Sequence, residues 1–155
     1  MFEGDCMIYV MSDLHGRYDK YTEMLKKINF RETDTLYILG DVIDRGLRPM
    51  PILLDMMNRK NIVSLVGNHE IMALPVLEGL IDFCGDENDI MNYLSGNTRK
   101  AFMNWSCHGA DTTLDNFLKL SFEDRSSVVE YLKTFRRYEL ISTKDDGEIL
   151  LWNKH

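Results

Sequence analysis

A chain of 155 residues, 45% hydrophobic and 28% charged, matches one ordinary globular domain and argues against disorder or membrane insertion. Its net charge of -7 repels polyanions, so capture of nucleic acid is not expected and an anionic substrate would need cations to meet it. Cys6, Cys84 and Cys107, widely and irregularly spaced, fit neither a disulfide framework nor a thiolate metal site, which points to a reducing cytoplasm.

No leader-like segment is evident, and no apolar run approaches the roughly 20 residues needed to cross a bilayer. The polar stretch Met1 to Cys6 precedes the first apolar segment and is expected to be a disordered extension at the start of a single domain spanning 1–155. Ile8 to Met11 is short, apolar and partly β-branched, and reads as a buried strand ended by the polar turn Ser12 to Gly16. Within Tyr18 to Ile28, Tyr21, Met24, Leu25 and Ile28 recur at helical spacing. Thr35 to Leu39 is a second strand, Met50 to Asn58 a helix begun near Pro49 and Pro51, and Ile62 to Val66 a third strand. Alternation of this kind predicts an α/β fold with a parallel sheet covered by helices on both faces. Farther on, Ile71 to Phe83, Asp89 to Leu94, Thr112 to Leu120 and Phe122 to Phe135 read as helices. Tyr138 to Ser142 and Glu148 to Trp152 flank the polar turn Lys144-Asp145-Asp146-Gly147 and predict a terminal hairpin.

Three polar clusters follow the three early strands: Asp13-Leu14-His15-Gly16, Gly40-Asp41-Val42-Ile43-Asp44-Arg45-Gly46 and Gly67-Asn68-His69-Glu70. Side chains just past the carboxyl ends of neighbouring parallel strands converge on one crevice, so residues far apart in sequence become neighbours there. Asp13, His15, Asp41 and Asn68 offer carboxylate, imidazole and amide oxygen without thiolate, a donor set suited to manganese, iron or zinc. Two ions are expected, about 3.5–4 Å apart in hydrolytic sites of this kind, with the Asp41 carboxylate bridging them. The plain alternative is that Asp13 and Asp41 cap the helices that follow.

The clusters resemble the D-x-H-G, G-D-x-x-D-R-G and G-N-H-E signatures of the calcineurin-like metallophosphoesterases. Arg45-Gly46 and Gly67-Asn68-His69-Glu70 favour the phosphoprotein phosphatase branch, which includes serine/threonine phosphatases and diadenosine tetraphosphate hydrolases. The likeness runs from about Ile8 to Met72 and continues more weakly through Trp105 to Leu114, where Gly109 and Thr113 fit the family's N-G-G-x-x-T-L segment. It implies an incomplete α/β sandwich in which Asp13, His15 and Asp41 hold a first metal and Asp41 and Asn68 contribute to a second, manganese being the first choice and iron or zinc the alternatives. His69 would be the catalytic acid, oriented by Asp44, and Arg45 with Asn68 would hold the phosphate. Arg45 paired with Glu70, and His69 as a plain helix-start residue, are the structural alternatives; Glu70 itself is read as structural.

The resemblance implies hydrolysis of phosphate monoesters on a phosphorylated protein or a small phosphoester, most like a serine/threonine protein phosphatase. The alternatives are a symmetrical dinucleoside tetraphosphate hydrolase and a catalytically impaired metal- or phosphate-binding protein. The family's second metal takes two later histidines, one of them after a strand that corresponds to Glu148 to Leu151. Here Trp152-Asn153-Lys154-His155 follows, with His155 out of register, and His108 reads as a loop residue. The expectation is therefore a truncated domain with an incomplete second site and an uncovered sheet edge and face, prone to self-association.

Overall fold

The computed structural model describes residues 6–143 and 147–153; residues 1–5 of the extension expected at 1–6, the hairpin turn at 144–146 and His155 lie outside the described residues. In chain order the elements are β1 (Ile8–Met11), α1 (Tyr18–Lys27), β2 (Thr35–Ile38), α2 (Pro49–Met57), β3 (Ile62–Ser64) and α3 (Asn68–Gly79). One 3-10 turn at Glu87–Asp89 leads into α4 (Ile90–Tyr93), α5 (Gly96–Ser106), α6 (Asp111–Leu118), α7 (Phe122–Lys133), β4 (Tyr138–Thr143) and β5 (Gly147–Trp152). The Cys6 thiol lies 2.6 Å from the Thr33 carbonyl, and the carbonyl of the next residue, Met7, accepts the Thr35 amide at 2.8 Å. All three cysteines are free and exposed. No helix of the described residues is long and apolar enough to cross a membrane.

Strands β1, β2 and β3 form a parallel sheet in that order, pairing Tyr9 with Leu36 and Leu36 with Ile62. The α/β class is as expected, but the covering of both faces is not. Each crossover adds a strand on the same side of the last one, and crossovers of one hand then lay their helices on one face. Leu36 and Ile38 accordingly share a core with Tyr21 and Leu25 of α1, Ile52 and Leu53 of α2, and Val76 and Leu77 of α3. The opposite face carries Ile8 and Val10, which are 41% and 47% exposed, so β1 is a half-open edge strand rather than a buried one.

The later helices also shift. α3 begins at Asn68 rather than Ile71 and ends at Gly79 rather than Phe83, and the helix expected over Asp89 to Leu94 is a 3-10 turn followed by a single turn of α-helix. α5 was not foreseen: it opens on Gly96-Asn97-Thr98-Arg99-Lys100, whose polarity hides the helical period, and it is tertiary packing against α3 that holds it. The hairpin forms as expected, pairing Tyr138 with Trp152 and Leu140 with Leu150, and these four apolar side chains are exposed. It joins the sheet through a parallel bridge between Leu65 and Arg136.

Candidate metal centre

The three clusters meet at the carboxyl ends of β1, β2 and β3, and their backbones are bent to do so. Asp13, His15, Asp41, Asp44 and Arg45 all have positive φ, between 40° and 70°; Asn29 is the one other described non-glycine residue that does. That conformation costs an ordinary L-residue about 1–3 kcal/mol, and such strain gathers where function needs a set geometry. Backbone bonds lock the first two loops together: His15 N–H donates to Asp41 at 2.9 Å, Gly16 N–H to Val42 at 2.8 Å and Arg48 N–H to Gly16 at 2.9 Å. Two glycines permit the approach, since a Cβ on Gly46 would lie 2.1 Å from the His15 carbonyl oxygen and one on Gly67 2.3 Å from Asp41 Oδ1.

Glu70, 1% exposed, fastens the second loop to the third. Its carboxylate accepts the amides of Asp41 at 2.9 Å, Val42 at 2.8 Å and Gly67 at 2.9 Å. Burial pushes its carboxyl above the usual range, the three amides pull it down, and the neighbouring Asp41 charge adds to the rise. Those amides occupy Glu70, which supports its structural reading. Arg45 does not pair with it but points at two imidazoles. Helix capping also fails to account for the aspartates: the N-caps of α1 and α2 are Arg17 and Arg48, with no side-chain cap bond on either.

Asp13, His15 and Asp41 each offer one donor atom, all within 4.8 Å of one another. His15 Nδ1 lies 3.1 Å from the Ile43 carbonyl, so Nδ1 is the protonated nitrogen and Nε2 keeps a lone pair toward the aspartates. Asp41 Oδ1 also accepts the His69 amide at 3.3 Å. Asn68 is the first residue of α3, directly after the glycine pressed against Asp41. The donors are oxygens and a nitrogen, a set that could hold a divalent cation.

Beside this group lies a buried relay. Asp44 Oδ2 takes His69 Nδ1 at 2.6 Å and Trp105 Nε1 at 2.7 Å, while Oδ1 takes the Thr113 hydroxyl at 2.6 Å. The Thr113 hydroxyl oxygen accepts the Asp44 amide at 2.9 Å in return. His69 Nε2 is thereby turned outward to the Arg45 guanidinium at 3.2 Å, whose other nitrogen is 3.1 Å from His15 Nε2. The Arg45 amide donates to Gly109 at 3.0 Å. Trp105 and the tie between Thr113 and Asp44 were missed in the sequence, where Thr113 carried only a weak motif likeness and Trp105 no role.

Asn153 was missed as well. Its Nδ2 donates to the Leu39 carbonyl at 2.5 Å and approaches Asp41 Oδ2 at 3.4 Å, so the end of β5 reaches the candidate metal-ligand group. The sole signal for it was position, just past a strand where a histidine was sought. His108 is exposed, lies in the turn after α5 and bonds the carbonyl of Asn104 in that helix, as a loop residue would.

The calcineurin-like phosphoesterase family profile matches residues 7–155, and the chain belongs to that family. A symmetrical bis(5'-nucleosyl)-tetraphosphatase of Nitrosococcus oceani is 29% identical over 103 residues, covering 65% of this chain and 37% of that protein. One from Buchnera aphidicola is 32% identical over 100 residues, covering 63% and 36%. The chain thus spans little more than a third of the length of these relatives. A metallophosphoesterase of Sphaerobacter thermophilus shares the fold at a TM-score of 0.52 and 19% identity, over 89% of this chain and 45% of that one.

Proposed function

We propose that this chain is a metal-dependent phosphoric ester hydrolase acting on a bis(5'-nucleosyl) tetraphosphate. The observation that carries the chemistry is the convergence of Asp13, His15 and Asp41 within 4.8 Å beside the His69–Asp44 pair. The substrate preference rests on the relatives, which are named tetraphosphatases. A phosphorylated protein, the substrate first expected from the branch resemblance, becomes the second reading.

Asp13, His15 and Asp41 would hold one divalent ion, and Asp41 with Asn68 would contribute to a second; manganese suits the donors. Bound cations would supply charge neutralisation at the phosphate and a more acidic water. The protein's own groups do the rest. Arg45, set between His15 and His69, offers a planar pair of donors to phosphoryl oxygens. His69 Nε2 delivers a proton to the leaving oxygen as its bond to phosphorus breaks, and Asp44 keeps the ring turned. Trp105 and Thr113 also donate to the Asp44 carboxylate and fix it in place.

Incubation with manganese and either a dinucleoside tetraphosphate or a phosphoserine peptide, followed by chromatography of the products, tests the reading. Cleavage of the dinucleotide, lost in His69→Asn, supports it. Phosphate release from the peptide alone would establish the second reading, and manganese binding with neither activity would mark a binding protein that keeps the fold.

A further inference from the structure

The first and second loops enclose more than the metal-ligand group. A cavity of about 660 Å³ opens beside Asp13 and His15, and its rim carries three guanidinium groups, Arg17, Arg45 and Arg48, against the carboxylates of Asp13 and Asp19. That volume is within the range of small-molecule sites, about 300–1,000 Å³. The positive lining is unusual in a chain of net charge -7. Arg45 already faces the imidazoles. Arg17 and Arg48 are exposed and form no ion pair among the described residues.

Their placement is built in. The Arg48 amide donates to the Gly16 carbonyl at 2.9 Å, and Gly16 and Gly46 pack so closely that a Cβ on Gly16 would lie 2.6 Å from the Gly46 carbonyl oxygen. The residue after Gly16 and the second residue after Gly46 are therefore held on one rim. Arg48 is further set by the Tyr18 ring, whose centroid lies 4.5 Å from its guanidinium carbon; stacking leaves the N–H edges free to bind. Arg17 and Arg48 are also the N-caps of α1 and α2, so the positive ends of two helices add to the same field.

A single phosphate at the metal-ligand group meets Arg45. Arg17 and Arg48 line the same cavity without bonding either imidazole, which leaves them for negative charge beyond that one phosphate. We propose that this cavity is a second anion subsite, in which Arg17 and Arg48 bind the further phosphates of a linear polyphosphate chain such as that of a nucleotide. The inference rests on the dinucleoside-polyphosphate reading above and gives it residues that select chain length.

Calorimetry at constant free manganese tests it, with inorganic tripolyphosphate and orthophosphate as probes. The intact chain should bind tripolyphosphate at least tenfold more tightly than orthophosphate. Arg17→Ala/Arg48→Ala should bring that ratio close to one and leave the orthophosphate affinity unchanged, while Arg17→Lys/Arg48→Lys keeps part of it. Lys26→Ala/Lys27→Ala, which removes equal charge at the far end of α1, should change neither. A ratio near one in the intact chain, equal losses in the two alanine pairs, or a singly phosphorylated peptide binding as tightly as tripolyphosphate would overturn the subsite. None of these outcomes concerns cleavage, so the subsite can fail while dinucleotide hydrolysis stands, and discrimination without cleavage would fault the hydrolase reading alone.

Discussion

Asp44 and His69 meet at 2.6 Å with side-chain exposures of 0% and 2%, across 25 residues of sequence, and two further donors close on the same carboxylate. A carboxylate held this firmly fixes which imidazole nitrogen faces outward. If His69 is the proton donor, Asp44→Asn should lower kcat for dinucleoside tetraphosphate by about 100-fold or more, in the range lost with general acid catalysis. Manganese affinity should be unchanged, because Asp44 is not in the ligand group. Steady-state kinetics beside a metal titration would separate the two, and equal loss of both would show a collapsed site instead of a misplaced proton.

The early loops were legible because each candidate ligand stands within a few residues of a strand end, where a parallel sheet brings distant positions together. Trp105 and Thr113 were not, since they reach Asp44 across 61 and 69 residues and no local pattern records a contact of that span. The half-open outer face of β1 was also hidden. On strands of three or four residues, an apolar residue facing a helix and one facing solvent, such as Tyr9 and Val10, cannot be told apart by alternation. Asn153 stands where the family resemblance calls for a histidine, and its amide reaches Asp41 only because the hairpin returns to the sheet.

Asn153→Ala should therefore weaken manganese binding about tenfold, the lower end of what loss of a group supporting a ligand costs. The variant keeps the full β4–β5 ladder, so the fold should persist. Calorimetric titration of the wild type is expected to show one tight equivalent and at most weak second binding. An unchanged affinity in the variant would reduce the contact with Asp41 Oδ2 to packing.

Arg125 makes a prediction about stability alone. It is 5% exposed, and its guanidinium donates to the carbonyls of Phe83 at 2.7 Å, Ile81 at 3.3 Å and Leu80 at 3.4 Å just past α3, and to Phe117 and Leu118 at the end of α6. Its charge sits at the negative ends of two helices and binds them to α7. Arg125→Met retains most of the apolar stem but leaves these carbonyls unsatisfied, at a cost of about 3 kcal/mol. Denaturant unfolding should show that loss with manganese stoichiometry unchanged, and a cost below about 1 kcal/mol would mean that water replaces the guanidinium.

Asp34 sets an acid limit to the fold. It is 1% exposed and joins the entry of β1 to that of β2, accepting the Arg31 amide at 2.8 Å and the Met7 amide at 3.2 Å, with the Arg31 guanidinium at 3.3 Å. Burial acts to raise its pKa, but the two amides and the guanidinium outweigh it and hold the carboxyl below its ordinary range. Because the folded value lies below the unfolded one, about 3.9, the contribution is complete above that pH and fades as pH falls through the folded value. Asp34→Asn should thus be less stable than the wild type at pH 6, and the gap should narrow steadily below about pH 4. Urea midpoints measured from pH 6 to pH 2.5 would show this convergence, and a constant gap would place the stabilisation in the shape of the side chain instead of its charge.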